Sequence, residues 1–308
     1  MSAEADPRLI VVAEPSGQPD RDCLNANIYG LQQAGFSVRY SAYNPDCGKR
    51  LTIDGVHNRA NSLNHCLIDN PGGIVLCARG GYGASDLLDL LDWAGLKNVT
   101  ANLVGGFSDI SALHSAFYTR LGWAGLHGPM PGSPLWKTTG KNFEKFTEIL
   151  QSWPAECQSA IDLTQVDKFS RNESDVNGTL FGGCFSVLSN LIGTKNFPES
   201  LAGHIVFLED TNESLPQLLR CWNQWHQSGV LDGVEAVVLG KMTHRDKTEQ
   251  QLLCELPNYL KERSNLAIFT SDQFGHIVDN RPLMTGASAR IANGLLSWRL
   301  NSGNLIGF

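Results

Sequence analysis

"GGFSDISALH", residues 105–114, joins the short apolar run Leu103-Val104 to a stretch where Ile110, Leu113 and Phe117 share a helical face. A strand passing into a helix through a glycine-rich turn is a repeating unit of α/β proteins. The same grammar recurs upstream. Gly73 to Ala78 reads as a buried strand and runs into "ARGGYGASDLLDLLDW", residues 78–93. There a glycine turn precedes a predicted helix with Leu87, Leu88 and Leu91 on its apolar side. Leu9 to Ala13 is a short buried strand closed by Glu14-Pro15-Ser16-Gly17. Arg21 to Ala34 has helical spacing through Leu24, Ile28 and Leu31, and Gly35 stops it. Phe36 to Tyr40 alternates like a strand, and residues 56–69 return to helical spacing.

This alternation predicts an α/β fold whose first domain, residues 1–135, has a parallel sheet of flavodoxin- or Rossmann-like type. Sites in such sheets form at the carboxyl ends of the strands. From Pro131 the pattern weakens through "PMPGSPLWKTTGK", with a helix expected over Phe143–Leu150 and a polar, turn-like "SRNESDVNGT". Residues 136–175 are therefore expected to connect two domains. The second domain, 176–308, is expected to be mixed α/β. "GTLFGGCFSVLSNLIGT" reads as strand then apolar helix, and "HIVFLEDTNES", "AVVLGKMT" and "LAIFTSDQFGH" read as strands. "LPQLLRCWNQWHQSGV" and "QLLCELPNYLKER" read as helices, and the chain end alternates like antiparallel strands.

Bulk properties narrow the function. Over 308 residues, 42% hydrophobic and 18% charged is globular composition. The net charge of -7 and the absence of any Lys/Arg cluster argue against a nucleic-acid partner. The first residues lack the basic start and long apolar core of a secretory signal, and no run approaches the roughly 20 apolar residues of a membrane span. A cytoplasmic protein with no membrane partner is expected. The eight cysteines form no C-x-x-C pair and read as small core residues in a reducing compartment. His57 and His65 lack the partners of a zinc set, so no metal and no cofactor are expected.

Three features carry chemistry, each with an ordinary alternative. Ser108 is a good helix N-cap. Gly105-Gly106 before it lets the backbone take unusual angles, and Gly-x-Ser is part of the nucleophile-elbow pattern G-x-S-x-G, though Ile110 stands at the last glycine. "RGGYG", residues 79–83, could present free amides to an anion or simply turn tightly; it lacks the Lys-Ser/Thr of a P-loop, and Asp86 breaks G-x-G-x-x-G. Glu209, Asp210 and Glu213 end an apolar strand, and His276 follows Gly275 in a loop. Acids at strand ends usually face water, but a triad needs a carboxylate to orient a histidine.

Taken in order, "ARGGYGASDLLDLLDW", "GGFSDISALH", "LHGPM", "GGCFSVLSNLIGT", "FLEDTNE" and "FGH" resemble the LD-carboxypeptidases, a serine peptidase family that includes the microcin-immunity peptidases. The resemblance runs from about residue 9 to 300. It implies a triad of Ser108, Glu209 and His276. It implies oxyanion amides from Asp109 and from Gly81, preferred to Gly80. It implies a murein tetrapeptide as substrate, cut before its terminal D-alanine during peptidoglycan recycling, by a homodimer. One departure is the segment Pro282-Leu283-Met284-Thr285-Gly286, where a Pro-Leu-Gly type run is expected. Carboxylate recognition by an exopeptidase calls for a nearby arginine or a cluster of amides; Arg79 and Arg281 are candidates, and either could be structural. Within the family the alternative is a peptide–nucleotide conjugate, for which Trp136 or Trp153 would stack on the base. The alternative of another class is a small-anion or nucleotide-binding protein using the RGGYG turn, with no dependence on Ser108 or His276.

Overall fold

The computed structural model describes residues 8–41, 49–166 and 175–301. Two sheets organise it. In the first half, β1 (Leu9–Ala13), β2 (Ser37–Tyr40), β3 (Ile74–Cys77), β4 (Leu103–Gly106) and β5 (Gly125–His127) are all parallel, in the order 2-1-3-4-5. That is the flavodoxin-like order. β1, β3, β4 and β5 are buried along almost their whole length, as expected for strands covered on both faces.

The remaining strands are β6 (Glu156–Asp162), β7 (Thr164–Gln165), β8 (Val176–Cys184), β9 (His204–Thr211), β10 (Ala236–Thr243), β11 (Ile268–Gly275), β12 (Leu283–Thr285), β13 (Ser288–Ala292) and β14 (Leu295–Asn301). Eight of them form a mixed sheet in the order 6-14-13-8-9-10-11-7. Its centre, β8 to β11, is parallel, and its flanks are antiparallel. β12 leaves this sheet and pairs antiparallel with β5, so the departure at Pro282–Gly286 is a strand that closes the first sheet. The stretch 136–175 holds the helix Lys141–Ser152 as well as β6 and β7, so much of it is built into the fold. Residues 167–174, most of the polar "SRNESD" run, lie outside the described residues, and Asn177–Thr179 belong to β8.

Two helical expectations change. The leucines after RGGYG do not form one helix. Successive tight turns run from Ala84 to Leu91, and a new short helix, Trp93–Leu96, starts where the Asp92 carboxylate accepts from the Gly95 amide. Leu87, Leu88 and Leu91 are buried all the same. The helix Ser111–Leu121 after Ser108 is buried on almost every side over its first seven residues, where an amphipathic helix would keep a wet face. It is wedged between the halves: Ser111 Oγ accepts from the Cys184 amide (2.9 Å), and Ser115 Oγ donates to the Asn196 carbonyl (2.7 Å).

Candidate active site

Three strand ends converge. Ser108 follows β4, Glu209 lies near the end of β9, and His276 follows β11. All three strands are parallel members of their sheets, so each residue sits at a carboxyl end, where loops are free to vary without disturbing the ladder.

Ser108 has φ +63°, in the left-handed region that a residue with a Cβ rarely occupies. Gly106, φ +156°, makes the sharp turn possible. A Cβ added at Gly106 would lie 3.0 Å from both Cγ atoms of Ile110, so its missing side chain is the space Ile110 fills. This explains how the elbow tolerates isoleucine at its usual second glycine.

The Ser108 hydroxyl lies 3.0 Å from His276 Nε2, and His276 Nδ1 lies 2.6 Å from Glu209 Oε2. Glu209 is fully buried, and the His276 side chain keeps 13% of its surface exposed. Burial works against charge on His276, but the Glu209 carboxylate and its hydrogen bond outweigh it and hold the imidazole pKa above its ordinary value. Burial would likewise raise Glu209; the neighbouring His276 charge and hydrogen bond bring it below the ordinary carboxylate range. The Phe107 ring packs on His276 at 4.8 Å between centroids and on His127 at 5.8 Å. His127 is completely buried among Phe107, Phe207 and Phe274, and burial pushes its pKa down to about 4, so it is neutral.

The RGGYG turn closes over this group. A Cβ built on Gly80 would meet Ser108 Cβ at 2.9 Å and Oγ at 3.2 Å, so only glycine fits there. Gly81, φ +120°, lines the same cleft. The Asp109 side chain turns away from the cleft. Its carboxylate accepts from Ser16 Oγ (2.5 Å) and from the Ala84 amide (2.8 Å), tying the loop after β1 to the turn after β3. Burial raises the Asp109 pKa, against those hydrogen bonds. Asp210, the neighbour of Glu209, faces the opposite way and accepts from the Ser186 and Thr211 amides; burial, with Glu209 beside it, raises its pKa to about 6.

Ser108 and His276 open into a cleft of about 480 Å³. Arg79 lines it, with Nη1 donating to the Gln18 carbonyl. Arg281 does not line it; its guanidinium points to the Ala160 carbonyl on β6, at 3.5 Å. Sequence reasoning missed Asn212, His244 and Arg245, which form part of the cleft wall. Their signal was positional, since they follow β9 and β10 at the same carboxyl edge as the others. Trp136 and Trp153 are core residues, 6% and 4% exposed; Trp136 packs on Phe146, and Trp153 Nε1 donates to the Gly72 carbonyl.

Comparison with known proteins agrees with this layout. Residues 10–128 match the LD-carboxypeptidase N-terminal domain and residues 177–291 the LD-carboxypeptidase C-terminal domain. A relative from Streptomyces coelicolor is 33% identical over 195 residues, which are 63% of this chain and 61% of that one. The murein tetrapeptide carboxypeptidase of Pseudomonas aeruginosa is 28% identical over 302 residues, 95% of each chain. The crystal structure of muramoyltetrapeptide carboxypeptidase from Oxalobacter formigenes superposes with a TM-score of 0.77 at 26% identity, covering 94% of this chain and 99% of that one. The structure of MccF in complex with glutamyl sulfamoyl guanosine has the same TM-score at 20% identity, with 97% of each chain covered, and shares the fold. With both domains matched in order and the two sheets meeting at one cleft, the chain belongs to the LD-carboxypeptidase family.

Proposed function

We propose that the protein is a serine LD-carboxypeptidase that releases the terminal D-alanine from murein tetrapeptides. The observation that carries this reading is the unbroken relay from Ser108 through His276 to Glu209 at the floor of an open cleft. His276 Nε2 takes the proton of Ser108 as the hydroxyl oxygen attacks the carbonyl of the last peptide bond. The Nδ1–H donates to Glu209, which fixes the tautomer and stabilises the imidazolium. Backbone amides at Asp109 and Gly81 receive the oxyanion; removing one such donor typically costs about 100- to 1,000-fold. His276 then protonates the departing amine of D-alanine. Water, deprotonated by the same imidazole, releases the acyl group and restores Ser108.

On this reading the enzyme trims wall peptides during their recycling in the cytoplasm. The murein homologue similar over 95% of its length supports that substrate. The peptide–nucleotide alternative loses support because both tryptophans that could stack on a base are buried away from the cleft. The test is D-alanine release from purified murein tetrapeptide by wild type and Ser108→Ala. Wild-type release that falls on the order of 10⁴-fold or more in the variant is expected. Equal release by both proteins would return Ser108 to a structural role. No release by folded wild type would discard the murein substrate.

A further inference from the structure

The cleft has a one-sided charge. Two permanent cations, Arg79 and Arg245, line it, and among its described lining residues there is no carboxylate. The two guanidiniums come from different sheets, Arg79 from the turn after β3 and Arg245 from the loop after β10. They are not equivalent. Arg79 is already hydrogen-bonded to the Gln18 carbonyl. Arg245 is exposed, and its guanidinium has no protein acceptor among the described residues.

The loop that carries Arg245 is nonetheless well braced. Asn212, itself at φ +60°, donates its amide to the Thr243 carbonyl (2.7 Å) and accepts from the Arg245 amide through its side chain (3.3 Å). His244 Nδ1 accepts from the Asp246 amide at 3.0 Å. The adjacent Asp246 turns its Oδ1 to the Thr248 and Glu249 amides, capping the helix Lys247–Leu253, and makes no ion pair with Arg245. A cation fixed at its backbone and left without a protein anion is suited to an anion that arrives with the substrate.

Resting on the proposed peptidase reading, we infer that Arg245 is the specificity-determining residue that binds the free α-carboxylate of the departing D-amino acid. That contact makes the cleft an exopeptidase site, because an internal peptide bond has no carboxylate one residue beyond the scissile carbonyl.

The test compares a murein tetrapeptide with a free terminal carboxylate and the same peptide as its terminal amide. Wild type, Arg245→Ala, Arg245→Lys and Arg79→Ala are assayed for kcat and KM on both. Wild type should prefer the acid by about 10- to 100-fold in kcat/KM, the range of a charge-assisted hydrogen-bonded contact. Arg245→Ala should lose that preference, chiefly through a raised KM for the acid. Arg245→Lys should recover part of it, since lysine restores the charge without the planar fork. Retention of the full acid preference by Arg245→Ala overturns the assignment, and its loss in Arg79→Ala alone moves the role to Arg79. Binding is measured in parallel by calorimetry, with Ser108→Ala and Ser108→Ala/Arg245→Ala on both peptides. Acid-selective binding that Arg245→Ala abolishes, without turnover by wild type, upholds the subsite and overturns the reaction. Binding indifferent to the terminal carboxylate in the Ser108→Ala protein overturns the subsite whatever the turnover.

Discussion

At Ser108 the backbone is held in a conformation that costs a non-glycine residue of order 1–3 kcal/mol. Among the described non-glycine residues only Asn212 and Asn293 share it, and asparagine tolerates it better than serine does. The strain is held by what surrounds it: Gly80 on one side and the Gly106–Ile110 contact on the other. Gly80→Ala tests this. Gly80 does not need the left-handed region, so the substitution adds only a methyl group against Ser108. A fall in kcat of about 100-fold or more, with a normal circular dichroism spectrum, is expected from a displaced nucleophile. The pH profile tests the partner. His276 must be neutral to accept the proton, and Glu209 raises its pKa above 6.5. Activity should therefore rise with pH through a midpoint above 6.5, because the base is increasingly deprotonated there. Glu209→Gln should move that midpoint down and lower kcat, as the carboxylate that favours the imidazolium is gone. An unmoved midpoint would show that Glu209 does not govern His276. For folding the sign is opposite: the raised His276 pKa contributes stability at low pH that is lost as pH rises through the folded value.

Between elements, the site depends on loops being tied to one another at the strand ends. Asp109 links the loop after β1 to the turn after β3, with Ser16 Oγ and the Ala84 amide as its donors. Arg59 does the same from the helix Ile53–Ile68, donating to the carbonyls of Pro15 and Gly83. Asp109→Ala should leave two buried donors unpaired and destabilise the fold by about 2–5 kcal/mol. Urea titration checks this, and a loss below about 0.5 kcal/mol would mean that the loops hold without the carboxylate. These ties also mark where the sequence stops being legible. Strands β1, β3 and β4 stand out as apolar runs ending in glycine turns, and the helix Leu215–Gln227 stands out through its spacing. Leu87, Leu88 and Leu91 are also spaced like a helix face, yet the Asp92 cap restarts the chain, because a side chain competing for a backbone amide leaves no trace in hydrophobic period. The local motifs mark Ser108, Glu209 and His276 as candidates with ordinary alternatives, and only the family resemblance joins them into one set. Arg245 carries no such mark, since an exposed arginine after a strand is ordinary until the fold shows which edge it occupies.

Across the molecule, the two halves are joined by more than a connecting chain. β12, from the second half, closes the first sheet against β5. The helix Ser111–Leu121, from the first half, packs its Ala112, Leu113 and Ala116 into a core that also holds Phe181, Phe185 and Trp225. A second core runs from Ile10 and Val12 to Phe207, Leu296 and Trp298. Burial on this pattern means that neither half keeps its full apolar interface if the other unfolds, since each Å² returned to water loses roughly 25 cal/mol. The relay has the same dependence, with Ser108 on one sheet and Glu209 and His276 on the other. Heating should therefore produce one transition in which structure and activity vanish together. Tryptophans report on the halves separately. Trp93, Trp123, Trp136 and Trp153 lie in the first part of the chain, and Trp222, Trp225 and Trp298 in the second. Variants with either set replaced by phenylalanine should melt with coincident fluorescence and circular dichroism curves. If the two sets instead report transitions several degrees apart, with activity lost at the lower one, the halves are separable domains and the site lies on a yielding interface.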